Sequence, residues 1–485
     1  FGKHSVSAVT AFEVMKYDYE DLYAAKKTYG QDINTSLGNA ADPIDADQKL
    51  QEDALMSYVA SVNYSYDDKY YASFSFRRDG SSRLSPDTRW GNFWSLSASW
   101  RLSQERFMQP LKSVLSDLKL RASYGVNGNL PSSYYGYQST YTTGAFYSGK
   151  PSPWESTLGN EELTWEKNYA LNLGLDIGLF SRVNVSLDWY TRTTKDLLMS
   201  KQLNSISGFS SLLTNVGQMR NTGVELEVRS NNIKTKDFSW TTAFNLSHNK
   251  NKILKLADLP WFVDGRYVRK EGYPFNTIYL REYAGVDPET GSALYYDNQQ
   301  DENGNYTKNK VTDPGQASPI PLKDITPTIS GGFMNTFNYK FIDLSFNLSY
   351  SFGGYSYDNA SYILQDDGYS VISNKSTEQR RRWQKPGDIT DVPRFVYGNK
   401  KGGNYNSSRA IHSTDHIRLK SLILGLNAPK AWLQKLGIGN ARIYFSGTNL
   451  LTWAAYDQYD PEMSGVVGFY TPPLKTYAFG LELKF

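Results

Sequence analysis

Strict alternation of apolar and polar residues recurs along this chain and constrains the fold more than any other feature. In the clearest segment, Ile342 to Tyr350, large apolar residues occupy every second position, with Asp, Ser and Asn between them. Successive side chains of a strand point to opposite faces, so this pattern predicts strands with one apolar and one polar face. About fourteen such segments occur, most of them near the ~10 residues that a tilted strand needs to cross a bilayer. They include the first fourteen residues, so we expect the sequence to begin within a fold and to be a piece of a longer polypeptide.

The connections between these segments decide which medium the apolar faces contact, because a soluble sandwich has the same alternation. Short and long connections take turns along the chain, which is typical of an outer-membrane barrel with tight turns on one rim and extended loops on the other. The predicted short links are Asp67-Asp68, Phe180-Ser181, the vicinity of Lys340, 230–237 and 428–440, with a somewhat longer one at 103–116. The predicted long extracellular loops are 16–52, 80–91, 126–162, 197–220, 249–326, 354–415 and 450–474. The sequence therefore predicts an all-β fold, a transmembrane antiparallel β-barrel.

Composition excludes several other classes. The 52 Lys and Arg nearly balance the 49 Asp and Glu, and the absence of a basic run argues against a nucleic-acid partner. The chain has no cysteine, which rules out disulfides and thiolate metal sites. No run of ~18 apolar residues occurs, so a membrane-spanning helix is not expected.

Several short motifs, in order along nearly the whole chain, resemble those of one transporter family. They are FRRDGSSR (76–83), WSLSASWRLS (94–103) with Phe107-Met108, LKLRASYG (118–125), NVG (215–217) with NTGVE (221–225), RLKSL (418–422), RIYFSGTNL (442–450) and YDPE (459–462). Each motif is weak alone, but their joint order is specific. The chain resembles the SusC-like TonB-dependent transporters of the Bacteroidetes outer membrane.

This resemblance implies that residues 1–485 are the C-terminal portion of a 22-stranded barrel whose plug domain and remaining strands lie outside this sequence. The implied partners are that plug and those strands, TonB acting through the plug, a SusD-like surface lipoprotein and outer-membrane lipid. An unpaired strand edge in lipid costs several kcal/mol per amide, so we expect Phe1 to Val14 to pair with a strand absent from this sequence. The terminal Phe485 resembles the signal read by the barrel-assembly machinery.

Binding sites are better supported than catalytic ones. The segment from His412 to His416 has no evident third metal ligand and is expected to be a plain strand, and Asp301 to Asn305 is expected to be a surface turn rather than a calcium loop. We therefore predict no catalytic residue, metal or cofactor. The predicted long loops contain many aromatic residues among polar ones. Aromatic rings stack on the C–H faces of sugars, and the same loop surfaces also suit oligopeptides. The candidate substrate contacts are Tyr134, Tyr135, Tyr137, Trp154 and Trp261, with Arg266 and Asn404 as polar partners.

The sequence thus favours the barrel part of an importer that moves nutrient oligomers, glycans or oligopeptides, across the outer membrane. Two alternatives remain open. A self-contained passive porin would close on itself and conduct ions without partners. An outer-membrane enzyme would need a convergent histidine or carboxylate site at the rim.

Overall fold

The structure is a computed structural model that describes residues 2–30, 35–256, 259–399, 406–433 and 437–485. The chain divides into two compact units, which are described separately below. Unit 1 comprises Phe1–Arg101, Arg121–Asn172 and Arg192–Gln218, and unit 2 comprises Leu102–Leu120, Leu173–Thr191 and Met219–Phe485.

Strands make up most of the described chain. The first half contains β1 (His4–Tyr29), β2 (Ala40–Tyr66), β3 (Tyr70–Ser81), β4 (Trp90–Arg101), β5 (Leu115–Asn129), β6 (Thr140–Tyr147), β7 (Lys150–Thr157), β8 (Glu166–Leu179), β9 (Val183–Lys195), β10 (Leu198–Gln202), β11 (Ser211–Asn215), β12 (Gln218–Lys234) and β13 (Phe238–Lys255). The second half contains β14 (Trp261–Asp264), β15 (Tyr267–Lys270), β16 (Thr277–Leu280), β17 (Tyr283–Val286), β18 (Ala293–Tyr296), β19 (Lys310–Val311), β20 (Ile320–Asp324), β21 (Ile329–Tyr339), β22 (Ile342–Phe352), β23 (Tyr355–Asp358), β24 (Ile411–Ser413), β25 (His416–Asn427), β26 (Asn440–Ala454), β27 (Gly465–Val467) and β28 (Thr476–Lys484).

Helices are few and short. The α-helices are α1 (Asn359–Leu364) and α2 (Lys430–Leu433), and single 3-10 turns occur at Leu37–Asn39, Leu102–Gln104, Arg106–Leu111, Ser205–Ser207, Pro314–Gln316, Thr377–Arg381 and Ser408–Ala410. Across the described ranges, no helix is long and apolar enough to cross a membrane.

The long strands form one 14-stranded sheet, which confirms the predicted number. Its order is β1-β2-β3-β4-β5-β8-β9-β12-β13-β21-β22-β25-β26-β28. Each of these strands neighbours the next long strand along the chain, an up-and-down arrangement. Within the described residues, β1 and β28 are the two ends of this order, and each has one neighbour in it.

The register in unit 1 shows how alternation creates two different faces. Val62 of β2 lies opposite Phe74 of β3, which lies opposite Leu96 of β4, and these apolar side chains are 44%, 45% and 53% exposed. One position along, Asn63 lies opposite Ser73, whose hydroxyl donates to the Asn63 amide oxygen at 2.5 Å. One face is therefore a continuous apolar surface and the other a hydrogen-bonded polar one, as a wall between hydrocarbon and water requires.

The chain makes tight turns at three of the predicted short connections. Asp67 and Asp68 join β2 to β3, and Phe180 and Ser181 join β8 to β9; all four have positive φ angles between 52° and 53°. Two successive positive φ values define the type I′ turn, whose twist matches that of the flanking strands. Lys340, with a φ of 53°, lies in the turn between β21 and β22.

Most of the predicted long loops contain secondary structure of their own, and their position outside the membrane stays a prediction. Most of 16–52 belongs to the long hairpin of β1 and β2, and 249–326 contains the end of β13 and all of β14 to β20. Likewise 126–162 contains β6 and β7, 197–220 contains β10 and β11, 354–415 contains β23, α1 and β24, and 450–474 contains β27. Strands of two to five residues are too short for alternation to identify, and their pairing satisfies backbone groups that a buried loop would leave unpaired.

The loop strands form small sheets, which are accompanied by three buried hydrophobic cores. In unit 1, β6 pairs with β7 and β10 with β11, and the buried core is Leu84, Phe93, Val126, Leu163 and Trp165. In unit 2 the sheets are β14-β15-β16-β20, β17-β18-β19 and β24-β23-β27. Their cores are Ile278, Leu280, Tyr357 and Ala410, and separately Ala293, Tyr295 and Ala317.

Candidate functional site

A buried ion pair lies beneath the predicted contact Tyr134 in unit 1. The Arg83 guanidinium donates to one oxygen of Asp53 at 2.9 and 2.7 Å and to the Pro131 carbonyl at 3.2 Å. The Asp53 side chain is 5% exposed. The same guanidinium lies 4.2 Å from the centre of the Tyr134 ring, a cation–π contact. An internal cation therefore already occupies one face of Tyr134.

The other predicted aromatics of unit 1 offer more open ring surface. Tyr135 is 39% exposed, and its hydroxyl accepts from the Glu52 amide at 3.1 Å. Tyr137 is half-buried, and its hydroxyl accepts from the side-chain amide of Gln138 at 2.8 Å. Trp154, on β7, is 60% exposed. Of this group, Trp154 presents the largest accessible fraction.

The remaining predicted contacts lie in unit 2 or outside the described residues. Trp261 begins β14, is 45% exposed and lies 6.0 Å from the Tyr279 ring. Arg266 lies in the turn between β14 and β15, with its guanidinium carbon 4.5 Å above the Tyr357 ring. It also donates weakly to Asn359 at 3.4 Å, and its buried Nε has no hydrogen-bond partner. Asn404 lies outside the described residues.

Unit 2 also contains an open cleft of about 520 Å³ that the sequence did not single out. Its aromatic walls come from the connection between β26 and β28, and its volume is in the range of small-molecule and short-oligomer sites. It is lined by Ala360, Leu364, Arg418, Thr452, Ala454, Asp457, Gln458, Tyr459, Asp460, Pro461, Met463, Gly468, Phe469, Tyr470 and Pro472.

Arg418 holds this connection in place. Its side chain is 3% exposed and donates to Asp460 at 2.7 Å, to Glu462 at 2.8 Å and to Thr452 at 3.1 Å. The Lys420 ammonium group also forms an ion pair with the Glu462 carboxylate, with Nζ 2.6 Å from Oε2. The two carboxylates are therefore neutralised by strand residues of β25, which fixes the loop that bears the cleft.

The aromatic wall is polar only at selected points. The Tyr459 hydroxyl contacts the Ser356 hydroxyl. Burial raises the pKa of Tyr459, which keeps this hydroxyl in its neutral, hydrogen-bonding form. Phe469 and Tyr470 are 68% and 64% exposed. The cleft therefore combines stacking surface with a few fixed polar groups, as ligand-binding sites do.

The motifs RLKSL (418–422) and YDPE (459–462) are recognisable in the sequence, but the sequence alone does not show that they are in contact. The structure joins them through the ion pairs from Arg418 to Asp460 and Glu462. The sequence did carry one indication of this contact, since an arginine near the start of an alternating strand needs a carboxylate partner when it is buried. Only the folded structure shows that the partners of Arg418 are Asp460 and Glu462.

The histidine segment joins two strands rather than forming one, since His412 lies in β24 and His416 begins β25. His412 stacks on Tyr456 at 3.7 Å and 3°, and burial lowers its pKa. His416 is 5% exposed and contacts the Thr414 carbonyl through Nδ1 at 2.8 Å. Within the ranges that the structure describes, no group of three His, Cys, Asp or Glu residues could hold a metal.

The acidic segment from Asp301 to Asn305 is a turn closed on itself. The Asp301 carboxylate accepts from the Asn303 amide at 2.9 Å and from the Asn305 amide at 2.8 Å. Gly304 has a φ of 79°, a backbone conformation that favours glycine. The carboxylate organises the turn, as expected of a surface turn.

Comparison with known proteins identifies the family. The family described as TonB dependent receptor-like, beta-barrel, matches residues 4–278, more than half of the 485-residue chain. The chain belongs to this family. It is an outer-membrane protein with the antiparallel barrel fold of the TonB-dependent receptors, as predicted.

Its relatives include SusC-like proteins. The chain is 32% identical to TonB-dependent receptor P3 of Formosa agariphila, over 100% of this chain and 51% of that protein. It is 31% identical to TonB-dependent receptor SusC of Bacteroides thetaiotaomicron, over 90% of this chain and 45% of that protein. Among solved structures, the RagAB peptide transporter is 30% identical with a TM-score of 0.90, over 100% of this chain and 54% of that one. This TonB-dependent receptor chain thus spans about half the length of the curated relatives it matches.

Proposed function

We propose that this chain supplies the wall and the external loops of a TonB-dependent importer of nutrient oligomers, with oligopeptides as the favoured substrate and glycans as the alternative. The proposal depends on one observation above all, the similarity of the whole chain to the structure of the RagAB peptide transporter, at a TM-score of 0.90. The aromatic cleft beside Arg418 supports it, because its volume and lining suit part of an oligomer.

In the proposed transporter, a plug outside this sequence fills the barrel and receives energy from TonB, and a SusD-like lipoprotein covers the external loops. The strand order supports the need for further wall strands. Among the described residues β1 and β28 have one neighbour each, and an open strand edge in hydrocarbon costs several kcal/mol per amide. We propose that β1 pairs with a strand outside this sequence, which a self-contained passive porin would not need.

The first experiment identifies what the transporter retains. The full-length protein would be purified from outer membranes together with its lipoprotein, and the released small molecules analysed by mass spectrometry. Peptides are the expected result. Recovery of glycans alone would contradict the oligopeptide assignment, and ion conduction by the transporter without plug movement would favour a porin.

The second experiment tests the cleft. The double variant F469A/Y470A removes two exposed rings from the cleft and is expected to weaken binding of the retained molecule about thirtyfold, at ~1 kcal/mol per ring. The control F107A removes another exposed aromatic of unit 2, which lies in a 3-10 turn of a predicted short connection. Equal losses in the two variants would contradict a role of the cleft in binding.

A further inference from the structure

The hairpin of β1 and β2 is much longer than the wall requires. β2 pairs with β3 only from Leu55 onward, so Lys16–Tyr29 and 40–54 pair with each other and, among the described residues, with no further strand. We call this part the distal ribbon. At ~3.3 Å per residue, its fourteen-residue arm from β1 extends about 45 Å beyond the wall.

The register divides the distal ribbon into two faces. Tyr17, Tyr19 and Tyr23 lie on one face, opposite Asp53, Gln51 and Asp47 of β2. This tyrosine face continues the polar side of the wall, since its residues share the parity of Ser5 and Ser7. The opposite leucine face carries Glu20 opposite Leu50 and Leu22 opposite Gln48.

The three tyrosines are accessible. Tyr17, Tyr19 and Tyr23 are 44%, 38% and 53% exposed. They and Asp21 recur at every second residue of β1, at intervals of ~6.6 Å. Alternate side chains of a bound extended peptide have the same spacing. The side chains on one side of such a peptide therefore match the groups of the tyrosine face one to one.

The distal ribbon is also strongly acidic. Its two arms, 16–29 and 40–54, contain eight Asp and Glu against four Lys, whereas the whole chain has a net charge of +3. The tyrosine face carries Asp21 opposite Lys49, Asp45 opposite Ala25 and Asp47 opposite Tyr23, and all four charged residues are exposed. Three carboxylates therefore share this face with one ammonium group, whereas Asp53 is paired with Arg83. Tyrosine faces attract cations within about 6 Å, and the neighbouring carboxylates complement the same charge.

We propose that the tyrosine face of the distal ribbon binds the Lys and Arg side chains of extended cationic oligopeptides and so gives the importer a preference for basic substrates. This inference rests on the proposed import of oligopeptides. The occupant follows from charge complementarity, since the carboxylates of Asp45 and Asp47 attract a cationic side chain, whereas a neutral glycan offers them hydroxyl donors but no opposite charge.

The test uses the full-length transporter with its lipoprotein in detergent and two fluorescein-labelled octapeptides. One peptide has Lys at alternate positions with Ser between, and the other has Gln in place of each Lys. Fluorescence anisotropy would give the two dissociation constants at 50 and 500 mM salt. We expect the Lys peptide to bind at least tenfold more tightly at 50 mM salt and to lose most of this advantage at 500 mM.

Matched variants separate the two faces. D45N/D47N keeps side-chain size and is expected to weaken the Lys peptide about fivefold while leaving the Gln peptide unchanged. Y17T/Y19T/Y23T, which keeps residues suited to strands, is expected to weaken the Lys peptide about tenfold. The control E20Q/L22T alters the leucine face and should change neither constant.

Folding of every variant is checked by its amount in the outer membrane and by its heat-modifiable mobility in electrophoresis. Equal affinities of the wild type for the two peptides would overturn this inference alone, as would equal losses in D45N/D47N and E20Q/L22T. Failure of the wild type to bind either peptide would overturn the oligopeptide assignment together with the inference.

Discussion

Replacement of Arg418 by methionine tests whether one buried cation holds the connection that forms the cleft. The Arg418 side chain is 3% exposed and that of Asp460 is 7% exposed, so solvent screens this pair little. Removing one partner of a buried ion pair costs about 3–5 kcal/mol, because the other charge is left buried and uncompensated. Since ~1.4 kcal/mol is a factor of ten, R418M should speed local opening by roughly two to three and a half orders of magnitude.

Hydrogen exchange measured by mass spectrometry on the full-length transporter gives this quantity for residues 457–470. The control R229M removes an arginine whose side chain is 72% exposed and pairs with Glu227. An exposed pair contributes ~1 kcal/mol or less, so exchange around residue 229 should change less than about fivefold.

A double variant tests the physical cause. R418M/D460N removes the stranded carboxylate while keeping a side-chain oxygen for the Glu462 amide, which now donates to Asp460 at 2.9 Å. It should recover a large part of the loss seen in R418M. Unchanged exchange in R418M would refute the reasoning, and a double variant no slower in exchange than R418M would show that the uncompensated charge is not the cause.

Three further changes test other parts of the loop structure. R83M strands the carboxylate of Asp53, which is 5% exposed, and should speed exchange at the base of the distal ribbon at least tenfold. Burial lowers the pKa of His412 from 6.5, so the stability contributed by its neutral form is complete above that pH and is lost as the pH falls. Hydrogen exchange in β24, corrected for intrinsic rates, should therefore accelerate between pH 7.5 and 5. H412F should abolish this acceleration. G159A places a Cβ 2.4 Å from backbone atoms and should increase limited proteolysis of its loop, whereas G144A, with its nearest atom at 3.8 Å, should leave proteolysis unchanged.

The sheet was largely predictable because its signal is local. Val62, Phe74 and Leu96 alternate with polar residues within their own strands, so the lipid face can be read without knowing the partners. The same reasoning failed for the distal ribbon. Its tyrosines alternate with Asp18, Glu20 and Leu22, so neither side of the strand has the continuous apolar pattern of a lipid-facing surface.

The cleft was not predictable because its parts are distant in sequence and joined only by tertiary contacts. Arg418 belongs to β25, whereas Asp460 and Glu462 lie in the connection after β26. Local patterns report which residues share a strand face. They do not report which loop carboxylate returns to which strand arginine, since that depends on the folded path of the connection.

The fate of Tyr134 shows why aromatic content alone is a poor guide to contacts with substrate. A ring contributes to recognition through its accessible faces, and Arg83 already lies 4.2 Å from the centre of this one, held there by Asp53. Loop arginines are attracted to tyrosines by the same cation–π energy that would attract a basic ligand, so internal cations compete for these rings. Trp154, at 60% exposed, and Tyr23, at 53%, keep most of their ring surface accessible. Residues of this kind should therefore dominate affinity for substrate, whereas Tyr134 should affect it mainly through the packing of its own loop.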